Sequence, residues 1–337
     1  MKKIYVISAK QISIQQPLCE DWMDAPLRYE QDYVRCVDPD FKQFISAGEA
    51  RRMGKLFKRA LATSLSALSE GGIEHPDAII TGTGFGSAEN TELFLDAMVR
   101  EGESLLKPTQ FMQSTHNTTS SLIGIHTKSH GYNSTYSQKF LSFDNALLDA
   151  WLQFRLGKIS SALVGSHDET TELFRIFLRK GGFVSDSEIC SESAVSLLLS
   201  DEASDKALCS LGGVWINNRP SSQEVCGRIR KMLEENALSP EEVGAVMTGM
   251  NGSETDGDYA FLDEILPKAL KLSYKPVFGN NFSAPSLGVY AACHCLAQGR
   301  IPGCLTSDGL QHPCGKAVLA VNVAERRHIS LILVTRA

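Results

Sequence analysis

The stretch from Gly131 to Ala150, GYNSTYSQKFLSFDNALLDA, is where the chain comes nearest to a catalytic arrangement. A short polar, β-branched run (Ser134, Thr135, Tyr136) gives way to a helix-period pattern with Phe140, Phe143, Ala146, Leu147 and Ala150 on one side. A strand that stops against the start of a buried helix suits a nucleophile, because unpaired N–H groups and the helix dipole stabilise negative charge there. The junction itself offers Gln138, Lys139 and Phe140, and none of these is a nucleophile. Ser137 and Lys139 flank it, Ser142 lies two residues into the helix, and Cys190 sits in SEICSES before a later strand. A displaced nucleophile at Ser142 or Cys190 would need His116 or His167 within about 3 Å as its base.

Other groupings with chemical potential read more simply as structure. GTGFGSAEN, after the strand AIITGTG, lacks the GxGxxG spacing and the acidic partner of a dinucleotide site, so its glycines are expected to serve tight turns. His167-Asp168-Glu169 alternates faces at a strand end and suits a hydrogen-bond network better than a metal. Cys293-His294-Cys295 diverges around a helix, so one zinc could not use all three. No metal and no cofactor are expected. The chain carries 33 Lys and Arg against 39 Asp and Glu, a net charge of -6, which gives no attraction for nucleic acid or an anionic membrane. Nine cysteines without a CxxC pair read as reduced thiols, and no signal peptide or membrane-length apolar run is visible, so a cytoplasmic location is expected.

The elements that must position these residues recur in order. Residues 3–9 form a central strand, and 15–44 are an irregular insertion expected to cover a pocket or a partner surface. Ser46 with Glu49 reads as a capping box, opening a helix through Met53, Leu56, Ala60 and Leu68 that Gly71-Gly72 stop. Strands at 78–84, 134–136, 160–165, 194–200 and 207–216 alternate with helices near 91–100, 120–125, 140–156 and 171–180. A shorter echo follows: helix 221–236, strand 244–250, helix 258–266, a strand-like 275–279, helix 288–296, and strands 317–323 and 328–334. With 337 residues, of which 43% are hydrophobic, this order predicts a duplicated α/β fold, with halves 1–205 and 206–337.

Several segments taken in order resemble the β-ketoacyl synthases of the thiolase-like superfamily. They are Arg51-Arg52-Met53 with Ala60, Thr81 to Gly84, FMQSTHN, GKISSALVGSHDE, Glu192 with Ala194, Gly257-Asp258 and KPVFG. The nearest resemblance is to cysteine-less, chain-length-factor-like ketosynthase partners of aryl polyene type pathways. It implies two mixed five-stranded sheets in an α-β-α-β-α arrangement. The family's Cys-His-His positions fall on Phe140, on Met250 (or Asn251 with the loop offset), and on Asn280 (or Asn281). Phenylalanine cannot hold an acyl chain covalently, and methionine supplies no donor to a developing enolate.

The resemblance therefore implies a non-condensing subunit that pairs with a catalytic ketosynthase, or with itself, through the sheet edge at 134–137. It would serve an acyl carrier protein in fatty-acid or polyketide-type synthesis and shape the acyl cavity. Candidates for lining that cavity are Phe111, Met112, His116, Phe140, Phe143, Leu147, Asn251 and Asn281. The basic groups Arg326-Arg327-His328 and Arg228, Arg230, Lys231 could meet a carrier's acidic surface or simply be solvated. Two alternatives stay open at this stage: an acyl-transferring synthase with a displaced nucleophile, and an acyl-binding homodimer without catalysis.

Overall fold

The computed structural model describes residues 2–103 and 106–337. Ten strands form one continuous sheet in two groups of five. The first group comprises β1 (Tyr5–Ile12), β2 (Ala78–Gly82), β3 (Tyr132–Tyr136), β4 (Ser161–Asp168) and β5 (Ser193–Ser200), in the order β3-β2-β4-β5-β1. The second comprises β6 (Cys209–Asn218), β7 (Val243–Thr248), β8 (Leu270–Ser273), β11 (Ala317–Ala324) and β12 (His328–Thr335), in the order β6-β12-β11-β7-β8. β9 (Arg300–Ile301) and β10 (His312–Pro313) pair separately.

The expectation of two sheets needs one correction. The groups are joined through β1 and β6, but by only two residue pairs, Tyr5 with Ser210 and Val6 with Cys209. Elsewhere the groups are held apart by two buried helices, α6 (Ser142–Arg155) and α11 (Ala284–Gln298), which pack on strands of both. Helix α2 (Lys55–Gly71) covers the outer face of the first group, while α8 (Ser222–Glu235) and α9 (Phe261–Ile265) cover the second. Thirteen consecutive residues of α11, Ala284 to Leu296, are buried, as a helix apolar on all sides must be between two sheets.

The capping box at Ser46 is present, yet the helix it starts, α1 (Ala47–Ala50), lasts one turn, and α2 begins anew after Gly54. Gly72 ends α2 at φ 73°, a left-handed cap that a glycine adopts without steric cost. Helices α3 (Ala88–Glu101), α4 (Pro108–Ser114), α5 (Thr118–Thr127) and α7 (Glu172–Lys180) complete the first half. The segment 275–279 is not a strand: Pro276 starts the short α10 (Lys275–Phe278), and the strand is the preceding β8.

The insertion 15–44 is a strap on the chain's own core. Trp22 is fully buried, donates its indole N–H to Tyr290 Oη at 3.1 Å, and packs edge-on against Phe278. Further along, Val34 N–H donates to the Cys190 carbonyl at 3.0 Å and Cys190 N–H to that of Asp32 at 2.8 Å. The segment around Cys190 pairs on its other side with Asn280.

Candidate functional site

The junction forms where β3 ends and α6 begins. Lys139 sits there at φ 47°, a left-handed conformation that a side-chain-bearing residue holds only under constraint. The constraint comes from both sides. The Ser142 hydroxyl accepts from Gln138 N–H at 2.8 Å and lies within hydrogen-bond distance of the Lys139 and Thr83 carbonyls. Gly82 leaves room for this turn, since a Cβ there would come within 2.5 Å of the Ser142 backbone.

A cleft of about 680 Å³ opens at the junction, and Phe140, Lys139, Phe183, Glu188, Asn251 and Lys275 are among the residues that line it. The Phe140 ring meets Phe282 edge-on at 4.8 Å, and Phe282 in turn meets Phe183 at 5.3 Å and Phe85 at 4.7 Å. Lys139 Nζ lies 4.7 Å from the Phe183 ring centre and pairs with Glu325 at 2.7 Å. Aromatic rings fill the place where a nucleophile would stand, with an ion pair beside them.

Asn280, where the sequence resemblance would put the second histidine, is buried and donates its amide to Glu188 Oε1 at 3.0 Å. Glu188 also pairs with Lys275 at 3.0 Å. Burial works against charge on Glu188, but Lys275 and the accepted hydrogen bonds outweigh it and hold its carboxyl below the ordinary range. Asn281 is fully engaged: it donates to Ser191 Oγ and accepts from Ser193 Oγ and Ser283 N–H. Met250 packs against the second-half core, and Asn251, at the cleft wall, accepts from Ser253 N–H at 3.1 Å.

Several sequence candidates lie elsewhere. Phe143 and Leu147 are buried in the main core rather than at the cleft, because they face the sheet from α6. Phe111 and Met112 are exposed on α4 and line a separate apolar groove of about 840 Å³ with Met53, Leu122 and Ile125. His116 is exposed, beside Gly86. Ser142 is spent on the turn, and Cys190 is buried in the strap ladder, where desolvation pushes its thiol up to about 12. Among the described residues, no histidine hydrogen-bonds either one. His167 is buried against Ser196, and burial pulls its pKa down to about 3, leaving it neutral.

The glycine-rich turn does hold a carboxyl group, but an internal one, that of Asp168. Gly84 N–H, Phe85 N–H and Thr83 Oγ1 all donate to the Asp168 carboxylate at 2.8–3.0 Å, and Ser283 Oγ closes the set at 2.6 Å. This cage ties both halves together beneath the aromatic plug. Among the described residues, no group of three or more His, Cys, Asp or Glu is placed to hold a metal. Phe183, Glu188 and Phe282 escaped sequence reasoning. Glu188 lies 92 residues from Asn280, so no local pattern could announce the contact.

The pattern of the family described as beta-ketoacyl synthase, N-terminal domain, matches residues 7–236. A search of curated protein sequences gave no match. Among solved structures, the ishigamide ketosynthase/chain length factor superposes with a TM-score of 0.83 at 15% identity, covering 100% of this chain and 99% of that one. A beta-ketoacyl synthase from Burkholderia phymatum STM815 gives 0.84 at 14% identity, with both chains covered completely. The ketosynthase ApeO in complex with its chain length factor ApeC, from Xenorhabdus doucetiae, gives 0.78 at 15% identity, covering 100% and 98%. The fold is thus the thiolase-like α/β fold.

Proposed function

The chain belongs to the β-ketoacyl synthase family, and from that premise we propose that it is a non-condensing subunit, similar in role to a chain length factor. It pairs with a catalytic β-ketoacyl synthase acting on carrier-bound acyl chains and bounds the cavity in which the chain grows. The observation that carries this reading is the junction: Phe140 and Phe282 fill it, and Asn280, Glu188 and Lys275 satisfy one another across it. Condensation needs a nucleophile to hold the acyl group and donors aimed at the enolate oxygen. Among the described residues the cleft offers no cysteine, serine–histidine pair or free imidazole.

The pairing surface is the free edge of β3, the first strand of the sheet. Tyr132 N–H donates inward to the Asp77 carbonyl, so by alternation the N–H groups of Asn133 and Thr135 point outward, unpaired within the chain. Exposed Phe111, Met112, Ile125 and Tyr132 add an apolar surface of the kind partners cover. A synthase of an aryl polyene type pathway and its acyl carrier protein are the proposed associates. Arg326 and Arg327 are paired with Asp258 and Glu325, and Arg228 with Glu235 at 3.8 Å, which leaves Arg230 and Lys231 as the freer basic residues for a carrier.

The test is to express the chain alone and together with a cysteine-bearing synthase from the same genome. Native mass would report pairing, and consumption of malonyl carrier would report condensation. Condensation only by the pair, unchanged by Ser142→Ala or Cys190→Ala in this chain, supports the proposal. Turnover by this chain alone overturns it.

A further inference from the structure

The loop after β7 carries the chain's one Asn-Gly pair, Asn251-Gly252, and Asn251 and Ser253 stand in the wall of the Phe140 cleft. We propose that Asn251 is a self-modification site, converted to aspartate or isoaspartate by attack of the Gly252 amide nitrogen on its side chain. The inference does not depend on how the junction beside it is read. Asparagine is chemically labile before glycine, because no side chain shields the following nitrogen.

The plain explanation is a turn: Gly252 has φ 82°, and Asn251 Oδ1 accepts from Ser253 N–H at 3.1 Å. A turn alone does not account for the group placed on the nucleophile. Asp256 Oδ2 accepts the Gly252 N–H, whose proton must leave, at 2.8 Å, and its Oδ1 accepts from Asn251 N–H at 3.1 Å. An acceptor in line with an N–H lies near the peptide plane, so the face of the nitrogen stays open to the side chain. Ser253 N–H, on Asn251 Oδ1, is the donor that the oxyanion of a tetrahedral intermediate requires. Gly252 is exposed, and a Cβ there would meet nothing within 4 Å, so water has access. In the reaction Gly252 N gives its proton to Asp256 and bonds to Asn251 Cγ, and the Cγ–Nδ2 bond breaks. Nδ2 leaves as ammonia, taking up the proton that Asp256 returns through solvent. Water then opens the cyclic imide at either carbonyl, leaving aspartate or isoaspartate. The product adds a carboxylate to a wall shared with Glu188 and Lys275. Burial opposes charge on Glu188, and the Asn251 side chain is among the groups, after Lys275 and Ser185 N–H, that offset it. Modification exchanges that support for repulsion.

The experiment incubates the full chain at neutral pH in heavy-oxygen water and follows its peptides by mass. A second sample, unfolded in urea, gives the rate of the same Asn-Gly pair without Asp256 in place. Heavy oxygen is expected in the Asn251 peptide, as aspartate and isoaspartate, at least about tenfold faster in the folded chain. The peptide containing Asn133, an exposed asparagine followed by serine, should stay unchanged over the same time. Asp256→Asn keeps an acceptor but no base, and should bring the folded rate down to about that of the unfolded chain. If Asp256 merely fixes the loop, its loss frees the turn and the rate rises instead. A melting curve verifies that the variant is folded, and the comparison of folded with unfolded native chain stands without it. Faster modification in the folded chain that requires Asp256 supports the proposal. A folded rate at or below the unfolded one, or a rate that Asp256→Asn leaves unchanged or raises, overturns it.

Discussion

Phe282 carries the aromatic cluster, since Phe85, Phe140 and Phe183 all rest on it and it is 2% exposed. Phe282→Ala should cost about 3–5 kcal/mol, read from urea unfolding, while the surface change Lys231→Ala should cost less than about 0.5 kcal/mol. Phe140→Cys should restore no condensation in a malonyl-consumption assay, because Asn280 stays bound to Glu188 and no histidine adjoins the new thiol. Two buried carboxyls set a pH trend. Desolvation raises Asp144 to about 6 and Glu169 to about 7, against hydrogen bonds that pull each down. Both bind a proton more tightly folded than unfolded. Their contribution is therefore complete below the unfolded pKa near 4 and is lost as pH rises through 6 and 7. Asp144→Asn or Glu169→Gln should flatten that decline, by up to about 3 kcal/mol each, in urea midpoints measured from pH 4 to 8. At this scale the sequence told which chemistry was absent at Phe140. It could not tell that Ser142 is consumed by Gln138 and Thr83, because those partners are fixed by the turn and by β2.

Among elements, those with a local cause were legible. The Gly71-Gly72 stop, the Ser46 capping box and the apolar runs of β11 and β12 each follow from neighbours along the chain. α10 was not, since KPVFG is too short for periodicity and only its proline marks a helix start. The glycine-rich stretch is legible as a tight turn, but the carboxyl it holds, Asp168, is 84 residues from Gly84 and invisible locally. The edge strand gives a sharp test. Thr135→Pro removes an outward N–H, whereas Thr135→Val keeps it and loses only the hydroxyl bonds to Thr81 and Ser120. Sedimentation with a cysteine-bearing synthase, the proposed partner, should show pairing weakened at least about tenfold by the proline and little changed by valine.

For the molecule as a whole, the repeated order of strands and helices is legible and the strands fall into two groups of five, while the matching family pattern places the chain among β-ketoacyl synthases. The seam between the halves was not legible, because it rests on two residue pairs of β1 with β6 and on helices buried from both sides. That seam also governs how the chain is made. β1 is made well before its neighbours β5 and β6, which begin at Ser193 and Cys209. At about 5–20 residues per second, β1 waits on the order of 10–40 s with both edges bare. A nascent chain stalled before Ser193 should accordingly be held by chaperones and cut readily by protease, and one stalled past Asn218 should be protected at β1. Slower translation across this interval should therefore lengthen the time in which β1 is open to aggregation and proteolysis.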